Sequence, residues 1–262
     1  MIETPVGLSV LRTRSALFIL ALILMAAPPS FAESPTPTNP ASQETLDNAI
    51  EQYIRTHPEV IEQSLQALEA KRETEEKARQ KAALAARQND LLHDPSSPVS
   101  GNLNGDVTLV EFFDYRCGYC KRAAGAVTQL QKDDARVRVV YKDLPILGEA
   151  SELAVKAALA SRAQGKHQAF HEAILATQNE IAKDELLRLA GDVGLDTTRL
   201  EADMANPEWQ AVIDRNRALA KDLGISGTPG FIAGSELQPG ALDLNGLKEL
   251  VARARVLHRQ AD

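Results

Sequence analysis

The chain has 262 residues, with 29 Lys and Arg against 36 Asp and Glu, and a formal net charge of −7. This acidic balance argues against a nucleic-acid partner, because duplex binding relies on clustered Lys and Arg that neutralise phosphates. Hydrophobic residues make up 44% of the chain, an ordinary share that can bury one good core. We therefore expect one globular domain with an appendage.

The first 32 residues have the features of a secretory signal peptide. Arg12 and Arg14 precede an apolar run from Ala16 to Ala27, and Ser30-Phe31-Ala32 resembles a small-x-small cleavage site. The apolar run is short for a segment that must cross a bilayer. A retained N-terminal membrane anchor is the alternative interpretation. We expect removal of residues 1–32 and export to the periplasm, where disulfides persist.

Residues 33–41 predict a Pro/Thr linker, since none of them is a large apolar residue that anchors a core. Residues 42–92 have a helical pattern that is interrupted at Thr56-His57-Pro58, and Pro58 suits the first turn of a new helix. Apolar residues recur at three- and four-residue steps on both sides of this break: Leu46, Ile50, Tyr53 and Ile54, then Val60, Ile61, Leu65 and Leu68. Beyond them, Glu69 to Gln88 is charge-dense and alanine-rich.

This apolar stripe precedes the globular part and has no local partner to bury it. We expect it to pack against copies of itself, which makes the protein an oligomer through residues 42–92. The alternative is that these helices fold back onto the main domain as an extra layer. Heptads are not sustained over three or four repeats, so the pattern does not set the number of subunits.

Residues 93–262 predict an α/β domain, because strands alternate with helices along the chain. The expected order is strand, helix, strand, helical insertion, strand and final helix. The segments concerned are 107–113, the helix that begins at the first cysteine, 137–141, 149–223, 227–232 and 247–257. The glycines at 165, 191, 194 and 224, with Pro207, divide the insertion into helices of ordinary length.

Cys117 and Cys120 are the two cysteines of the chain, and they form a CxxC motif after a β-prone run. Cys117 falls at the expected start of a helix, where unpaired N–H groups and the helix dipole stabilise a thiolate. A redox pair is therefore the preferred interpretation. Zinc held by this pair with His167 and His171 is less suitable, because their separation from Cys120 far exceeds that in small zinc fingers. A plain structural disulfide is the remaining alternative.

Phe-Phe-Asp-Tyr-x-Cys-x-x-Cys-Lys and the downstream Gly-Thr-Pro-x-Phe resemble thioredoxin-fold proteins of the DsbA-like group. The segment Tyr53-Ile-Arg-Thr-His-Pro58 resembles the helical oligomerisation region of the ScsC proteins (suppressor of copper sensitivity protein C). The resemblance implies a thioredoxin fold with a helical insertion over about 149–223. It also implies a periplasmic thiol:disulfide oxidoreductase that is a trimer and has a membrane-bound reductase as partner.

The resemblance also assigns roles to individual residues. Cys117 would be the attacking sulfur and Cys120 the resolving sulfur, while Gly118 and Tyr119 would tune the redox couple. Thr228 and Pro229 would match the loop in which a cis-proline faces the disulfide and binds the substrate backbone.

Glu111 corresponds to an acidic residue beneath the cysteine pair in DsbA-like proteins. It lies two residues before Phe113 on a strand, hence on the same face, where it would relay protons to Cys120. Lys142 and Asp143, at the end of the next strand, are candidate charge partners. The alternative is an acid on the exposed surface of an edge strand.

We expect a protein disulfide isomerase that acts on cysteine-containing exported proteins, because several sites in one oligomer can hold a misfolded chain through repeated exchange. A DsbA-like dithiol oxidase is the first alternative. A periplasmic chaperone or copper carrier is the second, since two soft thiols suit Cu(I). No other cofactor is expected.

Overall fold

The computed structural model describes residues 40–261. The predicted signal peptide, residues 1–32, and residues 33–39 of the predicted linker lie outside the described residues. The last two residues of that linker are helical, because the first helix begins at Pro40. Within the described part of the chain, no helix combines the length and the apolar character needed to cross a bilayer.

The chain divides into two compact units, residues 1–62 and residues 63–262. The described part of the first unit contains α1 (Pro40–Thr56) and the beginning of α2 (Glu59–Ala86). The helical pattern breaks at His57 and Pro58, as predicted. In this unit Val60 is half-buried, and the other apolar residues of the stripe are 38 to 55% exposed: Leu46, Ile50, Tyr53, Ile54 and Ile61.

The second unit contains a five-stranded sheet and the remaining helices. The strands are β1 (Val99–Gly101), β2 (Val107–Phe113), β3 (Val137–Asp143), β4 (Gly230–Ala233) and β5 (Glu236–Pro239). The helices are α3 (Gln88–Leu92), α4 (Gly118–Asp133), α5 (Glu149–Ala160), α6 (His167–Ala176), α7 (Lys183–Asp192), α8 (Thr197–Asp203), α9 (Glu208–Asp222) and α10 (Leu244–Ala261). The spatial order of the strands is β1-β3-β2-β4-β5, and β2 and β3 are parallel while the other pairs are antiparallel.

Alternate residues of β2 face two different cores, since successive side chains of a strand point to opposite sides of the sheet. Leu109 and Phe113 pack with α4, α5, α6 and α10 in the larger core. Val110 and Phe112 pack on the other face with Leu84 from the end of α2. The end of α2 and α3 therefore belong to the core of the second unit, so this unit begins earlier in the chain than the predicted boundary between residues 92 and 93.

The predicted helical insertion, residues 149–223, contains α5 to α9 and a 3₁₀ turn over Ser161–Gln164. Gly165, Gly194 and Gly224 end helical segments with positive φ, a conformation that glycine adopts without a steric penalty. Gly191 lies inside α7 and does not divide the insertion. Helix α10 begins three residues before the predicted position of 247, because the Asp243 carboxylate accepts a hydrogen bond from the Gly246 N–H at 2.8 Å.

Two short edge strands, β1 and β5, were not part of the prediction. Each pairs along three or four residues with a neighbouring strand, β1 with β3 and β5 with β4. Such short strands contain too little alternation of apolar and polar residues to stand out in a sequence. They extend the sheet on both sides and leave β2, which carries the cysteine motif at its end, in the centre.

Candidate active site

Cys117 occupies the N-cap of α4, directly after the turn that follows β2. Its backbone is extended, and its Sγ accepts a hydrogen bond from the Cys120 N–H at 3.4 Å. The Sγ also donates to the Thr228 carbonyl oxygen at 3.2 Å. The predicted placement at a helix start is therefore confirmed, and the sulfur occupies the position in which N–H groups of the first helical turn stabilise negative charge.

Cys120 lies one turn further into α4 and is the inaccessible member of the pair. It is 0% exposed, whereas Cys117 is 7% exposed, and neither cysteine is in a disulfide. Burial raises the pKa of the Cys120 thiol well above its usual value, and hydrogen bonds from the Asp114 backbone and the Thr228 side chain only partly oppose this. Substrate can thus reach Cys117 first, and Cys120 must lose its proton to a nearby base before it attacks.

The loop before β4 brings Thr228 and Pro229 to the cysteines from a distant part of the chain. The Thr228–Pro229 peptide bond is cis, as the family resemblance implied. β4 pairs antiparallel with β2, and Gly230 lies opposite Phe112 near the cysteine-bearing end of that strand. Pairing of the two strands therefore places this loop beside the sulfur of Cys117.

Glu111 lies in the central strand and is 2% exposed, so the alternative of a surface acid on an edge strand is wrong. Its Oε1 has no hydrogen-bond partner among residues 40–261, and burial raises the pKa of the carboxyl to about 8. A cavity of about 10 Å³ adjoins it, lined also by Ala124 and Val127 of α4. That volume is close to the minimum for one water molecule, and Ala124 lies one helical turn after Cys120.

Lys142 and Asp143 are not the charge partners of Glu111. Lys142 faces the opposite side of the sheet, where its Nζ donates to the Asp90 carbonyl oxygen at 2.6 Å, to Asp94 Oδ2 at 3.0 Å and to Ser97 Oγ at 2.7 Å. The prediction that Lys142 pairs with Glu111 was wrong, because side chains alternate along β3 and residue 142 lies on the opposite face of the sheet. Asp143 supplies no positive charge, and burial raises its own pKa to about 7.

His167 and His171 pack beneath the sheet face of Glu111 and do not join the cysteines. His171 Nδ1 lies 3.0 Å from the Tyr115 hydroxyl oxygen, and its ring is tilted by 45° against the ring of Tyr141, with the centroids 4.4 Å apart. Burial holds the pKa of His171 well below its usual value, so its ring is neutral. Across the described residues no three His, Cys, Asp or Glu side chains form a group that could hold a metal, so the proposed zinc ligand set is not assembled.

Asp114 holds the turn that presents Cys117, a role that was missed in the sequence. Its Oδ1 accepts hydrogen bonds from the Arg116 N–H at 2.7 Å and the Ser151 hydroxyl at 2.8 Å. Its Oδ2 accepts from the N–H groups of Ile146 and Leu147 at 2.8 and 3.0 Å. The carboxylate thereby joins the cysteine turn to the segment after β3. An Asp directly after a buried strand and three residues before a cysteine is the signal from which this role could have been predicted.

The two residues between the cysteines are both exposed. Gly118 is the first residue of α4, and the Tyr119 side chain is 61% exposed with the Arg122 guanidinium 4.2 Å from its ring centroid. The cysteines thus form a dithiol in which Cys117 is slightly exposed and Cys120 is fully buried, and the same core contains an acid of raised pKa. Such a division suits thiol–disulfide exchange in which one protein thiol attacks the substrate and the second resolves the mixed disulfide.

A family model described as "DSBA-like thioredoxin domain" matches residues 108–252 of the chain. A thioredoxin-like oxidoreductase from Silicibacter pomeroyi DSS-3 is similar in structure, with 48% identity, a TM-score of 0.62 and coverage of 64% of this chain and 96% of that chain. ScsC from Proteus mirabilis, in a transitional conformation, has 26% identity and a TM-score of 0.63, and the match covers 83% of this chain and 99% of that chain.

A curated relative has a different overall name. "Na(+)/H(+) antiporter NhaA 3" from Salinispora tropica is 32% identical over 158 residues, which is 60% of this chain and 24% of that protein. The chain thus spans about a quarter of the length of the curated relatives it matches first. The match to this relative spans 158 residues, and the family model spans residues 108–252. The similarity to these longer relatives is therefore limited to one domain of about that length.

Proposed function

Because the chain belongs to the DSBA-like thioredoxin domain family and is a thioredoxin-fold oxidoreductase close to ScsC, we propose that it is a disulfide isomerase of the periplasm. The observation that carries this proposal is the position of the Cys117 sulfur. It caps α4, lies 3.2 Å from the Thr228 carbonyl oxygen and is more accessible than Cys120. A substrate sulfur can therefore reach Cys117, whereas Cys120 is fully buried and can attack only after the mixed disulfide has formed.

In the proposed cycle the Cys117 thiolate attacks a substrate disulfide, which forms a mixed disulfide and releases a substrate thiolate. Either another substrate thiolate then attacks the mixed disulfide and leaves a rearranged substrate, or Cys120 attacks it and leaves oxidised protein. We assign Glu111 as the proton acceptor for Cys120, because it is a buried acid of raised pKa on the sheet face that α4 covers. Thr228 and Pro229 are assigned to substrate binding, because this loop faces the attacking sulfur.

The stripe on α1 and α2 supports the isomerase over a monomeric oxidase. Five large apolar residues of the first unit stay substantially exposed in a single chain, and exposed apolar faces of helices are typical of self-association. We propose a homo-oligomer, a trimer by the resemblance, with a membrane-bound reductase that returns the cysteines to the dithiol form. Its substrates would be exported proteins with cysteines.

Refolding of a scrambled protein with several disulfides, in redox buffer, tests this function with the chain from residue 33. We expect recovery that depends on Cys117 and is lost in Cys117→Ser, because the first attack requires that sulfur. Oxidation of a dithiol peptide, measured in parallel, tests for the alternative function of a dithiol oxidase. Intact oxidation without recovery of the scrambled protein would move the assignment to a DsbA-like oxidase.

An Ile50→Glu variant tests the contribution of the oligomer. We expect a lower mass in light scattering and weaker isomerisation, with dithiol oxidation preserved, because a charge in the apolar stripe opposes burial. Gln52→Glu, a charge on the same helix outside the stripe, serves as control. Removal of residues 33–92 is unsuitable for this purpose, because Leu84 and Leu91 are buried in the second unit.

Copper carriage is the second candidate function, because Cys117 and Cys120 offer two adjacent soft sulfurs that are not in a disulfide. A carrier would bind Cu(I) in a titration against a chromophoric chelator and would not catalyse exchange. Cys120→Ser distinguishes the two functions. An exchange enzyme accumulates mixed disulfides through Cys117 in this variant, whereas a carrier does not.

A further inference from the structure

Two arginines flank the solvent-facing side of the cysteine pair. Arg116 directly precedes Cys117, and its Nη1 donates to the Leu147 carbonyl oxygen at 2.6 Å. Arg122 lies on the first turns of α4, with its guanidinium 4.2 Å from the centroid of the exposed Tyr119 ring. Its Nη1 also lies near Gly118, where an added Cβ would meet it at 3.7 Å. Positive charge is thus held against the residue that follows the attacking cysteine.

No carboxylate of the described residues neutralises either guanidinium. Within residues 40–261, neither Arg116 nor Arg122 forms an ion pair with a carboxylate, and Arg122 donates no hydrogen bond. Arg217, Arg253 and Arg255, by comparison, each contact at least one Asp or Glu. Apart from the Arg116 Nη1 group that donates to Leu147, the two arginines beside Cys117 therefore keep their N–H donors available on a chain whose net charge is −7.

The stacking on Tyr119 makes Arg122 a prepared binding group. A guanidinium that rests on an aromatic face keeps its edge N–H groups directed outward, and their fork matches the two oxygens of a carboxylate. Because the ring restrains the side chain, less conformational entropy is lost when an anion binds. A substrate carboxylate one or two residues from the reacting sulfur would meet this group, since neighbouring Cα atoms are about 3.8 Å apart.

We propose that Arg116 and Arg122 form a carboxylate-binding site beside Cys117, and that the protein prefers disulfides flanked by Asp or Glu. This inference rests on the proposed function and names its substrate class. In the first step the Cys117 thiolate attacks the substrate disulfide. A mixed disulfide forms, and one carboxylate-bearing half of the substrate leaves as a thiolate. Cys120, after losing its proton, then attacks Cys117 and releases the second thiolate, so the protein dithiol is oxidised and the substrate disulfide is reduced.

Three small aliphatic disulfides of different charge test the site in the reduced full chain: anionic dithiodipropionate, neutral hydroxyethyl disulfide and cationic cystamine. The readout is the rate of loss of protein thiols, expressed as the ratio of the anionic to the cationic rate. Dividing the ratio of a variant by that of the wild type removes the intrinsic reactivity of each disulfide and any change in the nucleophilicity of Cys117.

We expect Arg122→Gln to lower the anionic-to-cationic ratio by roughly five-fold, the upper range for one exposed ion pair, and added salt to have a similar effect. Tyr119→Leu keeps the charge but removes the aromatic support, and we expect it to lower the ratio to a smaller degree. Arg136→Gln is the matched control. Arg136 lies beyond the far end of α4, about 24 Å of helix from Cys117, and should leave the ratio unchanged.

The outcomes separate the two proposals. If the chain reduces the neutral disulfide but shows no preference for the anionic over the cationic one, the carboxylate site is overturned. The same holds if Arg122→Gln leaves such a preference unchanged. In both cases the proposed function stands. If Arg136→Gln lowered the anionic-to-cationic ratio as much as Arg122→Gln, the preference would come from the net charge of the protein. That result would also overturn the carboxylate site. Failure to react with all three disulfides would overturn the proposed function and this inference with it.

Discussion

Lys142 and Glu111 are both buried ionisable residues on neighbouring central strands, yet their surroundings differ. The Lys142 ammonium has three oxygen acceptors at 2.6 to 3.0 Å, one of them the carboxylate of Asp94. Glu111 has no cation beside it and leaves Oε1 without a partner among the described residues. A buried charge with complete hydrogen bonding stabilises a fold, whereas an incompletely bonded acid near a reactive thiol is typical of a functional group.

Replacement of Lys142 is expected to have the largest effect on stability. Lys142→Met should lower the free energy of unfolding by about 3–5 kcal/mol, because the Asp94 carboxylate and the Ser97 hydroxyl lose their partner. Urea unfolding measures the change, and Lys132→Met, at an exposed position, provides the control. The folded fraction should exchange a neutral disulfide at the wild-type rate. A loss below about 1 kcal/mol would contradict the structural role of this lysine.

Glu111→Gln should stabilise the protein at alkaline pH. The pKa of Glu111 is raised from 4.5 in the unfolded chain to about 8 in the folded protein, so the folded state binds more protons between these values. Stability therefore falls as pH rises from 4.5 to 8. The Gln variant should gain about 4 kcal/mol at pH 8 and less than about 1 kcal/mol at pH 5.

Urea unfolding of both proteins at several pH values measures this difference. The pH dependence itself is the decisive feature, because a packing effect of the substitution would be the same at each pH. If Glu111→Gln stabilised the protein equally at pH 5 and pH 8, the pKa of Glu111 would not be raised on folding. The contrast between Glu111 and Lys142 would then fail.

The same substitution should slow the resolution step by about 100-fold, the lower end for loss of a general base, since Cys120 would lose the group that accepts its proton. The step to measure is the resolution of a mixed disulfide between Cys117 and a small thiol, followed by rapid quenching with acid. Glu201→Gln, an exposed acid on α8, is the control. Unchanged resolution in Glu111→Gln would mean that the buried acid has no part in proton transfer.

Tyr115→Phe should have the smallest effect of the set. It removes the hydroxyl that lies 3.0 Å from His171 Nδ1, and the free energy of unfolding should fall by about 1 kcal/mol. Because no hydrogen bond joins this pair to Cys117 or Cys120 among the described residues, the rate of disulfide exchange should stay within about two-fold of the wild type. A tenfold fall in rate with unchanged stability would place Tyr115 and His171 in the proton pathway instead.

Local sequence determined the main features of the site. The apolar run of β2 followed by Cys117 at a helix start defines the redox pair, because strand and helix boundaries depend on nearby residues. The face of Glu111 followed from its spacing to Phe113, since alternation on a strand is strict. The family resemblance supplied the cis bond before Pro229, which no local pattern indicates.

The tertiary structure alone decided which side chains meet. Asp114 accepts hydrogen bonds from residues 146, 147 and 151, which lie more than 30 positions further along the chain. Lys142 was expected beside Glu111, but its partners come from residues 90, 94 and 97, before β1. Such contacts depend on how distant segments pack against the sheet, and a sequence contains the period of each segment but not the neighbours that it acquires on folding.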